Sequence, residues 1–232
     1  SIECPELYAS VTLEGPWSLL EWARTRSIKR FVVASSSSVY GDSSTIPFCE
    51  SHFVGEPISP YAATKRAMEL ACHTHVHLYG MSVIALRLFT VYGPRQRPDL
   101  AIHKFTRLLQ AGRPLPMFGD GTTARDYTYI EDILQGIEGA RLLLESCSDP
   151  LFEIINLGES SPVALHEMID ILAEEMGVRA EIDHLPAQPG DVRQTFADLT
   201  KAQELLGYDP KWDFRDGIKM FLSWFESASE AL

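Results

Sequence analysis

The feature that most constrains this chain is a pair of short apolar runs separated by one long helical stretch. Arg30–Ser35 (RFVVAS) and Ser82–Leu88 (SVIALRL) have the length and β-branched content of strands buried on both faces. Between them, Ser59 and Pro60 offer an N-cap and a first-turn proline, and Gly80 offers a left-handed stop, so the spacing predicts a helix from Tyr61 to about Tyr79. Strand, helix and strand in that order predict a parallel pair joined by a right-handed crossover. Phe152–Leu157 (FEIINL) predicts a third strand. An amphipathic helix is expected within 5–25, where Leu13, Trp17, Leu20 and Trp22 fall at roughly helical spacing. Further helices are expected near 101–111, 131–144, 164–176, 199–206 and 213–227. The expected class is α/β with a parallel sheet.

With 45% hydrophobic and 22% charged residues, the 232-residue chain can bury a core. It has no apolar run long enough to span a bilayer and no signal-peptide pattern, so a soluble, cytoplasmic protein with no membrane partner is expected. Cys4, Cys49, Cys72 and Cys147 lack CxxC spacing and are expected as free thiols. A net charge of -12 argues against a nucleic-acid partner. Between Arg87 and Asp126, however, seven basic residues (Arg87, Arg95, Arg97, Lys104, Arg107, Arg113, Arg125) stand against three acidic ones (Asp99, Asp120, Asp126). That local excess points to an anionic small molecule.

Tyr61 and Lys65, in YAATK, lie one turn apart on one helix face, after the serine run Ser35–Ser38. An ammonium there can favour the phenolate, letting a phenol of ordinary pKa about 10 act as a base near neutral pH. Taken alone, this spacing reads as an ordinary helix face with a solvated lysine. His73, His75 and His77 lack the acidic companion of a zinc-protease motif and are expected on a solvated face, not at a metal. Trp212, Phe214, Phe221, Trp224 and Phe225 read as core packing of a terminal helix.

In order along the chain, FVVASSSSVYG, YAATK, LRLFTVYGPRQRPD, FGDGTTARDYTYIEDI and PGDVRQTFADLTKAQELLGYDP resemble the extended short-chain dehydrogenase and sugar-nucleotide epimerase family. The resemblance implies the C-terminal half of a doubly wound, Rossmann-type parallel sheet with a small α/β substrate domain. Residues 1–92 would be the partial Rossmann domain and 93–232 mainly the nucleotide-sugar-binding domain, with 131–157 packing back on the sheet. It also implies NAD as cofactor, with Ser35, Tyr61, Lys65 and Phe89 around it, and Ser36, Tyr61 and Lys65 as catalytic residues. Ser37, Thr90, Arg95, Arg97, Phe118, Arg125 and Asp191 would bind a UDP-sugar, with Arg125 near the diphosphate and Leu115–Phe118 along the uracil.

Dehydratases of this family carry Asp-Glu after the catalytic Ser/Thr; Ser37 and Ser38 stand there instead, which implies 4-epimerisation through a 4-keto sugar. Thr90 replaces the Asn frequent in glucose-type epimerases, and FTVYGP with RPD downstream is closer to the glucuronate branch, so UDP-glucuronate or UDP-glucose is the implied substrate. A dehydratase or reductase of the same family, or a catalytically silent nucleotide-sugar-binding module, remains the alternative. No G-x-G-x-x-G turn occurs, and Thr12 stands where the family has Asn. The N-terminal cofactor-gripping segment is therefore expected to be missing, tight NAD binding by this chain alone is not expected, and the open sheet edge is expected to be covered by a homo-oligomer partner or a companion N-terminal fragment.

Overall fold

The computed structural model describes residues 1–186 and 192–229. Its central sheet contains β1 (Arg30–Ser36), β2 (Ser82–Leu88) and β6 (Phe152–Leu157), in spatial order β1-β2-β6 and parallel throughout. The register pairs Val32 with Ile84 and Ile84 with Glu153. All three strands fall where the apolar runs predict them, because a strand covered on both faces needs almost no polar positions.

Two helical layers cover the sheet. The helical N-terminal stretch is three pieces in series: α1 (Pro5–Ala9), a π-helical turn (Ser10–Glu14) and α2 (Gly15–Thr25). Together with α3 (Pro60–Tyr79) it closes one face over Leu20, Met68, Cys72, Met81 and Val83. On the other face α5 (Ile130–Ser146) and α7 (Thr200–Leu206) pack over Ile84, Leu86, Ile155, Leu157 and Tyr208. Fully burying each such aliphatic side chain contributes about 1.5–3 kcal/mol before entropy is charged against it. The ends of α3 form as expected: Ser59 Oγ accepts the Ala62 N–H at 3.1 Å, and Gly80 takes φ 63° at the C-terminus.

A second apolar core lies beside the sheet. It is built from α4 (Ala101–Gln110), α6 (Leu165–Glu175) and α8 (Phe214–Ser229) against short strands. β3 (Thr90–Tyr92) runs parallel to β5 (Ala124–Tyr129), which pairs antiparallel with β7 (Pro162–Ala164), while β4 (Leu115–Phe118) pairs parallel with β8 (Ile182–Leu185). These five short strands had no counterpart in the sequence reading. Phe221 and Phe225 are buried here, with Trp212, Phe214 and Trp224 packed around them, so the C-terminal aromatics are core as expected.

Two expectations change. The solvated histidine face does not hold for His75, which is 1% exposed, with Nδ1 2.8 Å from Ala71 O and Nε2 2.8 Å from Glu21 Oε1. Arg87 does not belong to a surface anion site: it is 1% exposed and bonded twice to the buried Glu69. The four cysteines are free, as expected, and no helix among the described residues is long and apolar enough to cross a membrane.

Candidate active site

The C-terminal end of β1 and the first two turns of α3 meet to form the candidate site. Lys65 is half-buried, and its Nζ donates to Ala34 O on β1 at 2.7 Å while lying 5.8 Å from the Tyr61 ring centroid. Burial pushes the lysine pKa down. Two residues past Ala34, Ser36 caps a 3₁₀ turn (Ser37–Tyr40): its Oγ accepts the Ser38 N–H at 3.2 Å and donates to Ser38 Oγ at 3.1 Å. α3 packs against both β1 and this turn. Tyr61, Lys65 and the strand end carrying Ser36 are therefore brought to one place.

The π-helical turn helps seat Tyr61. Thr12 Oγ1 lies 2.5 Å from both Tyr8 O and Thr64 Oγ1, and Thr64 Oγ1 donates to Tyr61 O at 2.9 Å. The Tyr8 ring meets Tyr61 edge-on with centroids 5.9 Å apart. Beside Lys65 opens an apolar cavity of about 320 Å³, whose walls include Val11, Leu19, Phe31, Val33 and Met68. The fit to the nicotinamide end of NAD rests instead on the donors at the C-terminal end of β1, a phenol and a half-buried ammonium one helical turn apart where a parallel sheet presents its ligands.

The remaining expected site residues are dispersed. Ser37 is half-buried in the 3₁₀ turn, whereas Ser35 is 3% exposed and its hydroxyl donates to Glu69 at 2.6 Å. The Phe89 ring is buried in the core with Tyr40 and Phe48. Thr90, on β3, pairs with Tyr127 of β5, next but one to Arg125. Arg125 is half-buried and its Nη1 donates to Ala124 O at 2.9 Å. Phe118 ends β4 and is half-buried. Arg95 and Arg97 are exposed in the loop after β3, Arg97 facing Asp99 at 3.3 Å. Asp191 lies outside the described residues.

Sequence reasoning missed the buried polar groups beneath the site. Tyr40 donates to Asn156 Oδ1 at 2.7 Å, and Asn156 Nδ2 donates to Phe48 O at 2.8 Å, locking the 3₁₀ turn to β6. Burial, partly opposed by Arg87, pushes the Tyr40 phenol up to about 12, so it stays protonated as a donor. The available signal was a charge inside an apolar strand: Arg87 in SVIALRL demands a buried partner.

Similarity to known proteins identifies the family. The family described as GDP-mannose 4,6 dehydratase matches residues 1–221. The UDP-glucuronate 4-epimerase of Thermodesulfobacterium geofontis is 39% identical over 233 residues, spanning 100% of this chain and 70% of its own length. The UDP-glucuronic acid 4-epimerase of Bacillus cereus, solved in complex with UDP-glucuronic acid and NAD, is 35% identical with a TM-score of 0.86, over 94% of this chain and 68% of that one. The UDP-glucose 4-epimerase of Thermotoga maritima, solved with UDP-glucose, superimposes with a TM-score of 0.90 at 30% identity, over 99% of this chain and 74% of that one. The fold and site define an extended short-chain dehydrogenase type of enzyme with a Rossmann-like α/β sheet. The chain belongs to the GDP-mannose 4,6 dehydratase family, whose members include NAD-dependent UDP-sugar 4-epimerases.

Proposed function

We propose that this protein is an NAD-dependent UDP-sugar 4-epimerase whose substrate is UDP-glucuronate. The observation that carries the reading is the seating of Lys65 on Ala34 O, one turn after Tyr61 and two residues before Ser36, in a chain with relatives of that activity. When bound, NAD supplies a hydride acceptor that later returns the hydride. Tyr61 and Lys65 would hold its nicotinamide end at the C-terminal end of β1. Tyr61 takes the proton of the sugar 4-hydroxyl, Lys65 keeps the phenol oriented, and the Ser36 hydroxyl hydrogen-bonds the same sugar oxygen. The 4-keto sugar then turns so that C4 would receive the hydride back on its opposite face while Tyr61 returns the proton to O4, with no net redox change.

Ser37 and Ser38 support epimerisation over dehydration, because hydroxyls of ordinary acidity cannot serve as the acid and base that eliminate water. Arg125 suits the diphosphate, and Arg95 or Arg97 the carboxylate at C6, since a guanidinium pairs bidentately with either anion. The deciding experiment follows purified enzyme, with NAD added in excess, on UDP-glucuronate or UDP-glucose by proton NMR. UDP-galacturonate is expected. Conversion of UDP-glucose alone would reassign the substrate, and a 6-deoxy-4-keto product would replace epimerase by dehydratase.

A further inference from the structure

Glu69 is 0% exposed, and it stands one turn past Lys65 and two past Tyr61 on the same face of α3. Its Oε1 accepts the Ser35 hydroxyl at 2.6 Å and Arg87 Nε at 2.9 Å, and its Oε2 accepts Arg87 Nη2 at 3.0 Å and Arg66 Nη1 at 2.9 Å. Burial pushes the Glu69 carboxyl pKa up, but these bonds, Arg87 first, outweigh it and hold the group below its ordinary value. Arg87 in turn lies on β2, 1% exposed, with its guanidinium 4.8 Å from the centroid of the Tyr40 ring. A single carboxylate thus ties together the helix that bears Tyr61 and Lys65, the strand that bears Ser36, and the neighbouring strand and 3₁₀ turn.

We propose that the Glu69–Arg87 pair is a positioning device for the reaction: it sets the distance of Ser36 from Tyr61 and Lys65 without touching substrate. This deepens the epimerase reading and rests on it. The argument is geometric. Lys65 on Ala34 O and Glu69 on Ser35 are consecutive rungs between α3 and β1, so the phase of the helix against the strand is pinned at two adjacent residues. Hydrophobic packing along the same interface, Met68 and Cys72 in one cluster with Phe31 and Val33 of β1, tolerates sliding. A bidentate ion pair does not, because its two hydrogen bonds fix direction as well as distance. A buried pair is no strong source of stability, since desolvating both charges offsets most of their attraction. Its value lies in defining one arrangement.

Glu69→Gln alone would strand a buried guanidinium, so the test uses the Glu69→Gln/Arg87→Met double variant, which removes both charges at similar volume. A second variant, Ser35→Ala, deletes only the rung to β1 and changes little bulk. The expected result for the double variant is a kcat lower by about tenfold to a hundredfold with KM unchanged, the size of loss that misplacement of reacting groups produces. Ser35→Ala should show a smaller loss in the same direction. Amide hydrogen exchange should quicken at 34–38 and 59–66 and stay unchanged in α5 and α8. A kcat equal to wild type in both variants, or exchange that quickens uniformly along the chain or not at all, would overturn the proposal. Should the wild-type enzyme epimerise neither UDP-glucuronate nor UDP-glucose, the proposed activity fails, while hydrogen exchange in either variant still decides whether the pair pins the helix to the strand.

Discussion

Asp126 Oδ2 accepts the backbone N–H of Ala197 at 2.9 Å, across 71 residues of sequence. The same carboxylate, 0% exposed, also accepts the N–H groups of Glu159 at 2.7 Å and Ser160 at 3.1 Å, while the Asp126 N–H donates to Thr195 Oγ1 at 3.0 Å. One side chain therefore holds β5, the loop after β6 and the segment that follows Arg193. Each buried donor left unpaired costs about 1–3 kcal/mol. Asp126→Ala is expected to lower unfolding free energy by about 3 kcal/mol or more, read from urea denaturation with an unchanged m-value. A loss under about 1 kcal/mol would mean that water replaces the carboxylate.

Tyr61→Phe removes the proposed base and little else, since the ring and its edge contact with Tyr8 persist. General-base catalysis is worth about 10²-fold or more, so kcat should fall at least that far while thermal stability holds. Near-normal turnover would take Tyr61 out of the mechanism.

Arg125 sits beside Asp126 on β5, so its backbone is anchored by the contacts just described. A hydrogen bond to a charged group contributes about 1.5–3 kcal/mol, which converts to a loss of roughly tenfold or more in UDP affinity for Arg125→Met. Titration calorimetry with UDP, GDP and inorganic phosphate checks this. Equal, weak binding of all three to the wild type would remove nucleotide selectivity from the site.

Glu159 predicts a pH dependence of stability. Burial first, then the nearby Asp132, Asp126 and Asp213, push its carboxyl up to about 8 in the folded protein. The unfolded chain ionises it near the ordinary value of 4.5. A folded pKa above the unfolded one means that the stabilisation is fully present below about 4.5 and is lost as pH rises through about 8. Glu159→Gln abolishes that loss, so the variant's melting temperature should gain on wild type between pH 5 and pH 8, with the difference levelling off above pH 8. A constant difference across that range would show that the carboxyl titrates normally.

The sequence by itself determined the three core strands, whose observed limits lie within one residue of the apolar runs, and the helix α3 with its caps. The one-turn spacing that puts Tyr61 and Lys65 on one face of α3 was legible too, as a local property of the chain, whereas Ser36 and the catalytic roles came only from the family resemblance. Tertiary structure decided what depends on distant partners. β3, β4, β5, β7 and β8 run from three to six residues, and two of them contain proline, so their own propensity is weak and pairing with remote segments makes them strands. The same holds for Arg87, which reads locally as one more basic residue. Only the fold brings Glu69 to it, 18 residues away, and turns a solvated charge into half of a buried pair.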